Sequence, residues 1–220
     1  MGEPIASLQF LTQDLPSQTH IGLAKVVLDA GVRWIQYRTK AKLTQEMLVE
    51  AEKIKLLCCE YQSRLIINDN VFVAKEVDAD GVHLGESDMP VSEARIRLGT
   101  NKIIGATVHS IFDLERLKDE SIDYFGLGPF RYTSTKENIK TPIGLQGLKQ
   151  VVNYTLKHAI HTPIVAIGGI LVSDLKDIFR TKIHGVAVAG AISMANNQEL
   201  AVKEFLSAFE RRYDGLLANS

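Results

Sequence analysis

The sequence has few cysteines, no long hydrophobic run and almost no net charge. Its two cysteines, Cys58 and Cys59, are adjacent, a spacing that suits neither a disulfide framework nor a zinc site. No stretch of about 18 apolar residues could span a membrane, and the N-terminus lacks the basic and apolar regions of a signal peptide. A formal net charge of −1 gives no bulk field that would attract nucleic acid or anionic lipid. We therefore expect a reduced, cytoplasmic protein whose partners are small molecules, with no nucleic acid and no membrane among them.

Familiar nucleotide-binding and hydrolase motifs are absent as well. There is no G-x-x-x-x-G-K-[ST] phosphate loop and no G-x-S-x-G nucleophile elbow. Gly126-Leu-Gly-Pro129 carries two glycines, but its proline breaks the helix opening that a dinucleotide fingerprint requires. Any phosphate must therefore be bound by another kind of loop.

Short apolar runs alternate with longer amphipathic segments along the whole chain. Most of the runs are continuously apolar, which is typical of parallel strands that are covered on both faces. Eight such runs separated by helical patterns predict an α/β fold, a single-domain (β/α)8 TIM barrel over residues 1–220. The alternative, a doubly wound sheet, usually has about five or six strands. The predicted strands are Leu8–Thr12, Trp34–Tyr37, Leu65–Ile67, Gly81–Leu84, Ile103–Thr107, Tyr124–Gly126, Ile164–Ile167 and Val186–Ala189.

Polar residues collect at the carboxyl ends of the predicted strands. In a (β/α)8 barrel these ends converge on one mouth, where the active site lies. Arg38 and Lys40 follow the second strand, Asp69 follows the third, and Asp88 lies beyond the fourth. Mg²⁺ binds through a carboxylate or two together with substrate phosphates, which Arg and Lys also bind. The pattern predicts a magnesium–diphosphate site, with the alternative that Asp69 and Asp88 cap the helices that follow them.

Two glycine-containing segments are candidates for phosphate binding. Asp123–Lys136 runs from a short apolar strand through Gly128 and Pro129 into hydroxyl groups and a lysine. Its glycines allow positive φ or close backbone approach, and its polar end suits a phosphate or else forms a solvated loop. Gly168-Gly169 follows the seventh strand, where such barrels commonly bind phosphate, or else forms a plain tight turn.

The histidines divide into candidates near the mouth and surface residues. His83 lies within an apolar strand, so we interpret it as filling the barrel interior or orienting a ligand. His109 follows the fifth strand and is a candidate for reaching the mouth. The others are predicted to lie on the surface: His20, His158, His161 and His184.

Six motifs, in their order along the chain, resemble those of the thiamine-phosphate synthase family. Each is weak alone, but the ordered set is specific and extends over nearly the whole sequence. The motifs are Gln36-Tyr-Arg-Thr-Lys40, Ile67-Asn-Asp-Asn70, Ala79-Asp-Gly-Val-His-Leu-Gly85 with Asp88, Ile104-Gly-Ala-Thr107, Gly126-Leu-Gly-Pro-Phe130 through Thr133-Ser-Thr-Lys136, and Ile167-Gly-Gly-Ile170.

The resemblance implies a Mg²⁺-dependent transferase that joins two thiamine precursors. One is 4-amino-2-methyl-5-hydroxymethylpyrimidine diphosphate, and the other is 4-methyl-5-(2-phosphoethyl)thiazole, carboxylated in some members. The products are thiamine phosphate and diphosphate. The implied reaction is dissociative: a pyrimidine carbocation forms and the thiazole nitrogen traps it, so that no strong general base is needed.

The resemblance also implies roles for individual positions. Asp69 and Asp88 match metal ligands, and Arg38, Thr107 and Lys136 match groups with a catalytic role at the diphosphate. The positions that match the pyrimidine diphosphate site are Gln36, Arg38, Lys40, Asn68, Thr107 and Lys136. Those that match the thiazole phosphate site are Thr133, Thr135 and Gly169.

Two positions depart from the family pattern. Thr107 replaces the more usual serine, which keeps the hydroxyl and adds a methyl group. Ala189-Gly190 stands where members commonly carry an aliphatic-serine pair over the thiazole phosphate, so backbone N–H groups are the expected ligands there. A thiazole tautomerase and a non-catalytic sensor of thiamine intermediates are the alternatives, and retention of both aspartates and Thr133-Ser-Thr-Lys136 favours the synthase. A homo-oligomer is compatible with the sequence.

Overall fold

A closed barrel of eight parallel strands forms the centre of the molecule. The computed structural model describes residues 5–132 and 141–217, in which each strand pairs with the next and the eighth pairs with the first. The predicted (β/α)8 TIM barrel is confirmed, while a single domain over residues 1–220 stays a prediction. The strands are β1 (Leu8–Leu11), β2 (Trp34–Tyr37), β3 (Arg64–Asn68), β4 (Gly81–Leu84), β5 (Ile103–Val108), β6 (Tyr124–Leu127), β7 (Ile164–Ile167) and β8 (Gly185–Val188).

Helices connect the strands and surround them. Within the described ranges, no helix combines the length and the apolar character needed to cross a membrane. A 3₁₀ turn, Val172–Asp174, precedes the seventh helix. The helices are α1 (His20–Asp29), α2 (Thr44–Glu60), α3 (Val71–Glu76), α4 (Val91–Leu98), α5 (Ile111–Leu117), α6 (Gly144–Lys157), α7 (Leu175–Arg180), α8 (Gly190–Ser193) and α9 (Gln198–Leu217).

Successive side chains along each strand point to opposite faces of the sheet, and this separates two apolar layers. One set of strand side chains packs against the helices, and the other points into the barrel. Trp34 and Tyr124 meet edge-to-face inside the barrel, with ring centroids 4.9 Å apart. The interior cluster consists of Leu11, Trp34, Ile66, Tyr124, Val165 and Ala187. This packed floor leaves the carboxyl ends of the strands as the place where a ligand can enter.

Candidate active site

A cavity of about 960 Å³ opens at the carboxyl ends of the strands. Loops after β2, β3, β4, β5, β6, β7 and β8 contribute to its wall. Three of the predicted site residues, Thr133, Thr135 and Lys136, lie outside the described residues. Every other predicted site residue lines the cavity: Gln36, Arg38, Lys40, Asn68, Asp69, Asp88, Thr107, Gly169, Ala189 and Gly190.

The two predicted metal ligands are not helix caps. Asn70 is the N-cap of α3 and accepts a hydrogen bond from the Val73 N–H (3.0 Å), so Asp69 lies just outside that helix. Asp69 has a left-handed backbone conformation (φ 64°), which aspartate adopts more readily than most residues. The helix after Asp88 begins at Val91 and has no side-chain cap. The capping alternative is therefore wrong for both carboxylates.

The Asp88 carboxylate instead closes the loop that follows β4. Its Oδ2 accepts a hydrogen bond from the Gly85 N–H (2.6 Å), and the Asp88 N–H donates to the Gly85 carbonyl (3.3 Å). A Cβ atom at Gly85 would lie 2.9 Å from Asp88 Oδ2, so only glycine leaves room for this arrangement. The loop thus holds the carboxylate at the cavity wall.

Asp14 holds the Arg38–Lys40 segment after β2. Its carboxylate accepts hydrogen bonds from the Thr39 hydroxyl (2.6 Å) and from the Lys40 N–H (2.8 Å). Burial raises the pKa of Asp14, but these hydrogen bonds and one from His20 outweigh burial and lower it overall. The ionised carboxylate therefore fixes the backbone from which Lys40 extends.

A histidine beneath the segment completes its support. His20 is 3% exposed; its Nε2 donates to Asp14 Oδ1 (3.0 Å), and its Nδ1 lies 2.8 Å from Thr12 Oγ1. Thr12 Oγ1 also accepts from the Arg38 N–H (3.0 Å). The prediction that His20 lies on the surface is therefore wrong. Thr12 was missed, although it follows β1 just as the predicted site residues follow their strands.

Arg38 places a partly buried cation at the cavity wall. Burial lowers the pKa of its guanidinium from the usual value, and the negative charges of Asp69 and Asp14 act in the opposite direction. Because arginine titrates far above neutral pH, the group stays charged. The cavity side formed by the loops after β2, β3 and β4 thus carries Arg38 and Lys40 together with Asp69 and Asp88.

Both histidine candidates lie where the sequence predicts. His83 lies inside the barrel, where its Nε2 is 2.9 Å from Thr107 Oγ1. His109 lines the cavity, and its Nδ1–H donates to the Gly128 carbonyl, which ties the end of β5 to the turn after β6. Both imidazoles therefore make hydrogen bonds within the protein.

Arg131 holds the glycine segment after β7. Its N–H donates to the Gly168 carbonyl (2.9 Å), and its guanidinium donates to the Gly169 carbonyl and to both oxygens of Asp174 (2.7 and 2.9 Å). Asp174 Oδ2 also accepts from the Leu171 N–H (2.8 Å). Gly168 and Gly169 have positive φ (98° and 68°), which glycine adopts at no steric cost. The direction of Arg131, which the sequence leaves open, is thus toward β7.

In the loop after β8, a neighbouring side chain fills the space beside a glycine. A Cβ atom at Gly190 would lie 2.7 Å from Met194 Cε, so this methionine occupies the space of a side chain at position 190. Met194 is 63% exposed and lines the cavity together with Leu171 and Tyr132, which are also exposed. These three rim residues were not predicted, since nothing in their local sequence marks them as polar ligands.

Comparison with known proteins agrees with this geometry. The family model described as thiamine monophosphate synthase matches residues 8–192. The thiamine-phosphate synthase of Flavobacterium johnsoniae is 39% identical over 90% of this chain and 93% of its own length. That of Phocaeicola vulgatus is 38% identical over 94% of this chain and 100% of its own length.

A solved structure gives the same result. Thiamine phosphate pyrophosphorylase from Pyrococcus furiosus superposes with a TM-score of 0.82 at 31% identity, covering 93% of this chain and 96% of that one. The predicted resemblance, the transferase class and the predicted thiamine-phosphate synthase activity are therefore confirmed. The chain belongs to the thiamine monophosphate synthase family.

Proposed function

We propose that the cavity joins 4-amino-2-methyl-5-hydroxymethylpyrimidine diphosphate to 4-methyl-5-(2-phosphoethyl)thiazole to give thiamine phosphate and diphosphate, or to the carboxylate of that thiazole with the additional release of CO₂. One observation carries the proposal: the side chains of Asp69, Asp88, Arg38 and Lys40 line the same cavity as the glycine-containing loops after β7 and β8. The first set suits a metal-bound diphosphate, and the second suits the phosphate of another substrate. One cavity therefore has room and ligands for both precursors.

Asp69 and Asp88 are the residues that would hold Mg²⁺. Among the residues that the structure describes, no three His, Cys, Asp or Glu side chains form a metal-binding group. Two carboxylates nevertheless fit Mg²⁺, which usually keeps several waters and binds substrate phosphates rather than a cage of protein ligands. When bound, the ion would stabilise the negative charge of the diphosphate leaving group.

The cationic side chains are assigned to the pyrimidine diphosphate. As the C–O bond to the pyrimidine methylene breaks, both electrons leave with the diphosphate and charge grows on its oxygens. Arg38, Lys40 and Lys136 stabilise that charge more in the transition state than in the ground state. Asn68 and Gln36 provide further polar groups on this side, and the Thr107 hydroxyl contributes a hydrogen bond.

The glycine loops are assigned to the thiazole phosphate. Gly169, with Ala189 and Gly190, offers backbone N–H groups to the phosphate, and Thr133 and Thr135 add hydroxyls. This places the thiazole across the cavity from the pyrimidine. Its ring nitrogen then donates its lone pair to the methylene carbocation, forming the new C–N bond without loss of a proton. Holding both partners at one mouth supplies the proximity that the step needs.

The test is a coupled assay of both products. Protein, Mg²⁺ and both precursors should release diphosphate and form thiamine phosphate in equal amounts, and omission of either precursor or chelation of the metal should stop both. A thiazole tautomerase or a sensor would release no diphosphate. Failure to form product under conditions in which a known synthase works would contradict the proposal.

A further inference from the structure

A chain of hydrogen-bonded polar side chains crosses the barrel interior beneath the cavity. Gln36 Nε2 donates to Gln9 Oε1 (3.1 Å), and Gln9 Nε2 donates to the Tyr124 hydroxyl (3.4 Å). That hydroxyl lies 3.0 Å from His83 Nδ1, and His83 Nε2 lies 2.9 Å from Thr107 Oγ1. The chain thus begins and ends at residues that line the cavity, Gln36 and Thr107.

Two glycines in the strands make room for the rings of this chain. A Cβ atom at Gly105 would collide with the Tyr124 ring and lie 2.6 Å from His83 Nδ1. A Cβ atom at Gly126 would lie 2.8 Å from His83 Cε1. Gln9, Gln36, His83 and Tyr124 are all buried. The arrangement is therefore built into β5 and β6 and is not a chance contact of mobile side chains.

The direction of the hydrogen bonds follows from the Tyr124 hydroxyl, which has a single proton. Gln9 turns its carbonyl oxygen toward Gln36 and its amide N–H toward Tyr124, so the Tyr124 oxygen accepts from Gln9. Burial raises the pKa of Tyr124, so the phenol keeps its proton. With its oxygen accepting, the phenol directs its proton to His83 Nδ1. The imidazole then carries its own proton on Nε2, which donates to Thr107 Oγ1.

This direction determines what Thr107 presents to the cavity. Its oxygen accepts from His83, so its hydroxyl proton points away from the imidazole. Threonine is also stiff at χ1, and the added methyl group restricts the hydroxyl further than a serine would. The Thr107 hydroxyl is therefore available to the cavity as a hydrogen-bond donor, which suits an anionic oxygen.

We propose that Gln9, Tyr124 and His83 are positioning residues that orient the Thr107 hydroxyl as a hydrogen-bond donor to the diphosphate. The inference deepens the proposed function and rests on its assignment of the pyrimidine diphosphate to the Thr107 side of the cavity. Gln36 begins the chain by donating an amide N–H inward to Gln9, which leaves its carbonyl oxygen as an acceptor. The hydrogen-bonded chain thus fixes which group Gln36 and Thr107 each present to the cavity, an acceptor at Gln36 and a donor at Thr107.

A double-mutant cycle tests the coupling of Tyr124 to Thr107. Thr107→Val and Tyr124→Phe should each lower kcat/KM for the pyrimidine diphosphate by about tenfold to thirtyfold, as for loss of a hydrogen bond to a charged group. The double variant should be no worse than Thr107→Val alone, because Tyr124 acts through Thr107. Losses that multiply in the double variant would overturn the proposal. Tyr154→Phe on α6, which removes a hydroxyl bonded to Glu115, is the matched control and should leave kcat/KM unchanged.

The tautomer of His83 gives a second readout that needs no active variant. In ¹⁵N-labelled wild-type protein, long-range ¹H–¹⁵N spectra should show His83 neutral and protonated on Nε2, with its signals assigned by their loss in His83→Asn. A proton on His83 Nδ1 would reverse the direction of the hydrogen bonds from Tyr124 to Thr107. It would overturn the proposal even if Tyr124→Phe failed to fold. Lack of product from the wild-type protein would instead contradict the proposed function, while the tautomer would still decide the direction of the chain.

Discussion

The two sides of the cavity use different kinds of ligand. The side formed by the loops after β2, β3 and β4 offers charged side chains, such as Arg38 and Asp69. The side formed by the loops after β7 and β8 is lined by main chain at positions such as Gly169, whose N–H groups are the proposed phosphate ligands. In the proposed reaction, only the diphosphate gains charge, whereas the thiazole phosphate keeps the charge it brought. Charged side chains thus face the group whose charge changes, and backbone dipoles face the group whose charge does not.

Both sides are nevertheless held by an aspartate. Asp14 accepts from the Lys40 N–H on the charged side, and Asp174 accepts from the Leu171 N–H on the glycine side. They differ in their second partner, which is buried His20 for Asp14 and the bidentate guanidinium of Arg131 for Asp174. Burial raises the pKa of Asp174, but the hydrogen bonds from Arg131 and Leu171 outweigh it and lower that pKa overall. Each loop is thus fixed by an ionised carboxylate that need not touch substrate.

The largest expected effect comes from breaking the charged side. Asp69→Asn and Asp88→Asn should each lower kcat by about 100-fold or more, the scale seen when a preorganised charge-stabilising group is removed. Asparagine keeps an acceptor oxygen, so the contact of Asp88 with the Gly85 N–H survives. The loss should therefore come from the metal, and a titration of activity with Mg²⁺ should show a shift to higher concentration.

Asp78→Asn is the matched control for Asp69→Asn. Asp78 also has a positive φ (50°), but it pairs with Lys102 at an exposed site away from the cavity. The Asp78→Asn variant tests whether the same change in a left-handed turn impairs folding, and its kcat should equal that of the wild-type protein. Wild-type rates in both cavity variants would remove the metal assignment and the contrast between the two sides.

A smaller effect is expected from breaking the glycine side. In Gly169→Ala, the Cβ atom would collide with Arg131 Cγ and lie 3.3 Å from the Tyr132 carbonyl oxygen, at a φ (68°) that alanine adopts poorly. The loop should shift, and KM for the thiazole phosphate should rise about tenfold, while KM for the pyrimidine diphosphate stays within about twofold. Steady-state kinetics with each substrate varied in turn measures both.

Gly99→Ala separates this effect from a loss of stability. Gly99 also has a positive φ (82°), but a Cβ atom there would meet nothing within 4 Å, and it ends α4 away from the cavity. Its melting temperature should fall while both KM values stay the same. An equal rise in both KM values for Gly169→Ala would show that the two sides are not independent.

The fold was predictable because its signals are local. The bounds of β2, β4 and β7 match the predicted ones, and the other strands differ by a single residue at one or both ends. The place of the charged residues was predictable for the same reason, since they lie within a few residues of the strand ends. The roles of the glycines in and just after β6 were less predictable: Gly126 and Gly128 lack positive φ, and they allow the close approach of His83 and of the Ile167 carbonyl.

The supporting residues were not predictable, because they depend on contacts between distant segments. His20 opens a helix, a position that is usually exposed, yet here it fills the space between Asp14 and Thr12. The direction of Arg131 depends on Asp174, which lies in the next βα unit. No local sequence pattern indicates such contacts between distant residues. The strand-end rule, by contrast, would have found Thr12 had it been applied to β1.

The smallest effect is expected from a substitution that adds a side-chain ligand to the glycine side and so makes the two sides more alike. Gly190→Ser restores the hydroxyl that family members commonly carry. Its Cβ atom would meet only Met194 Cε, the end of a flexible side chain that is 63% exposed and can move outward. A hydroxyl bonded to the thiazole phosphate should lower KM for that substrate by about threefold, as for one ordinary hydrogen bond.

Gly190→Ala distinguishes the hydroxyl from the displacement of Met194. It adds the same Cβ atom without a donor, so its KM for the thiazole phosphate should equal or exceed the wild-type value. If the serine and alanine variants behave alike, the hydroxyl makes no contact, and the loop after β8 contributes only its backbone to phosphate binding. If only the serine variant improves, this chain holds its phosphate with one ligand fewer than the family pattern provides, because Met194 fills that space.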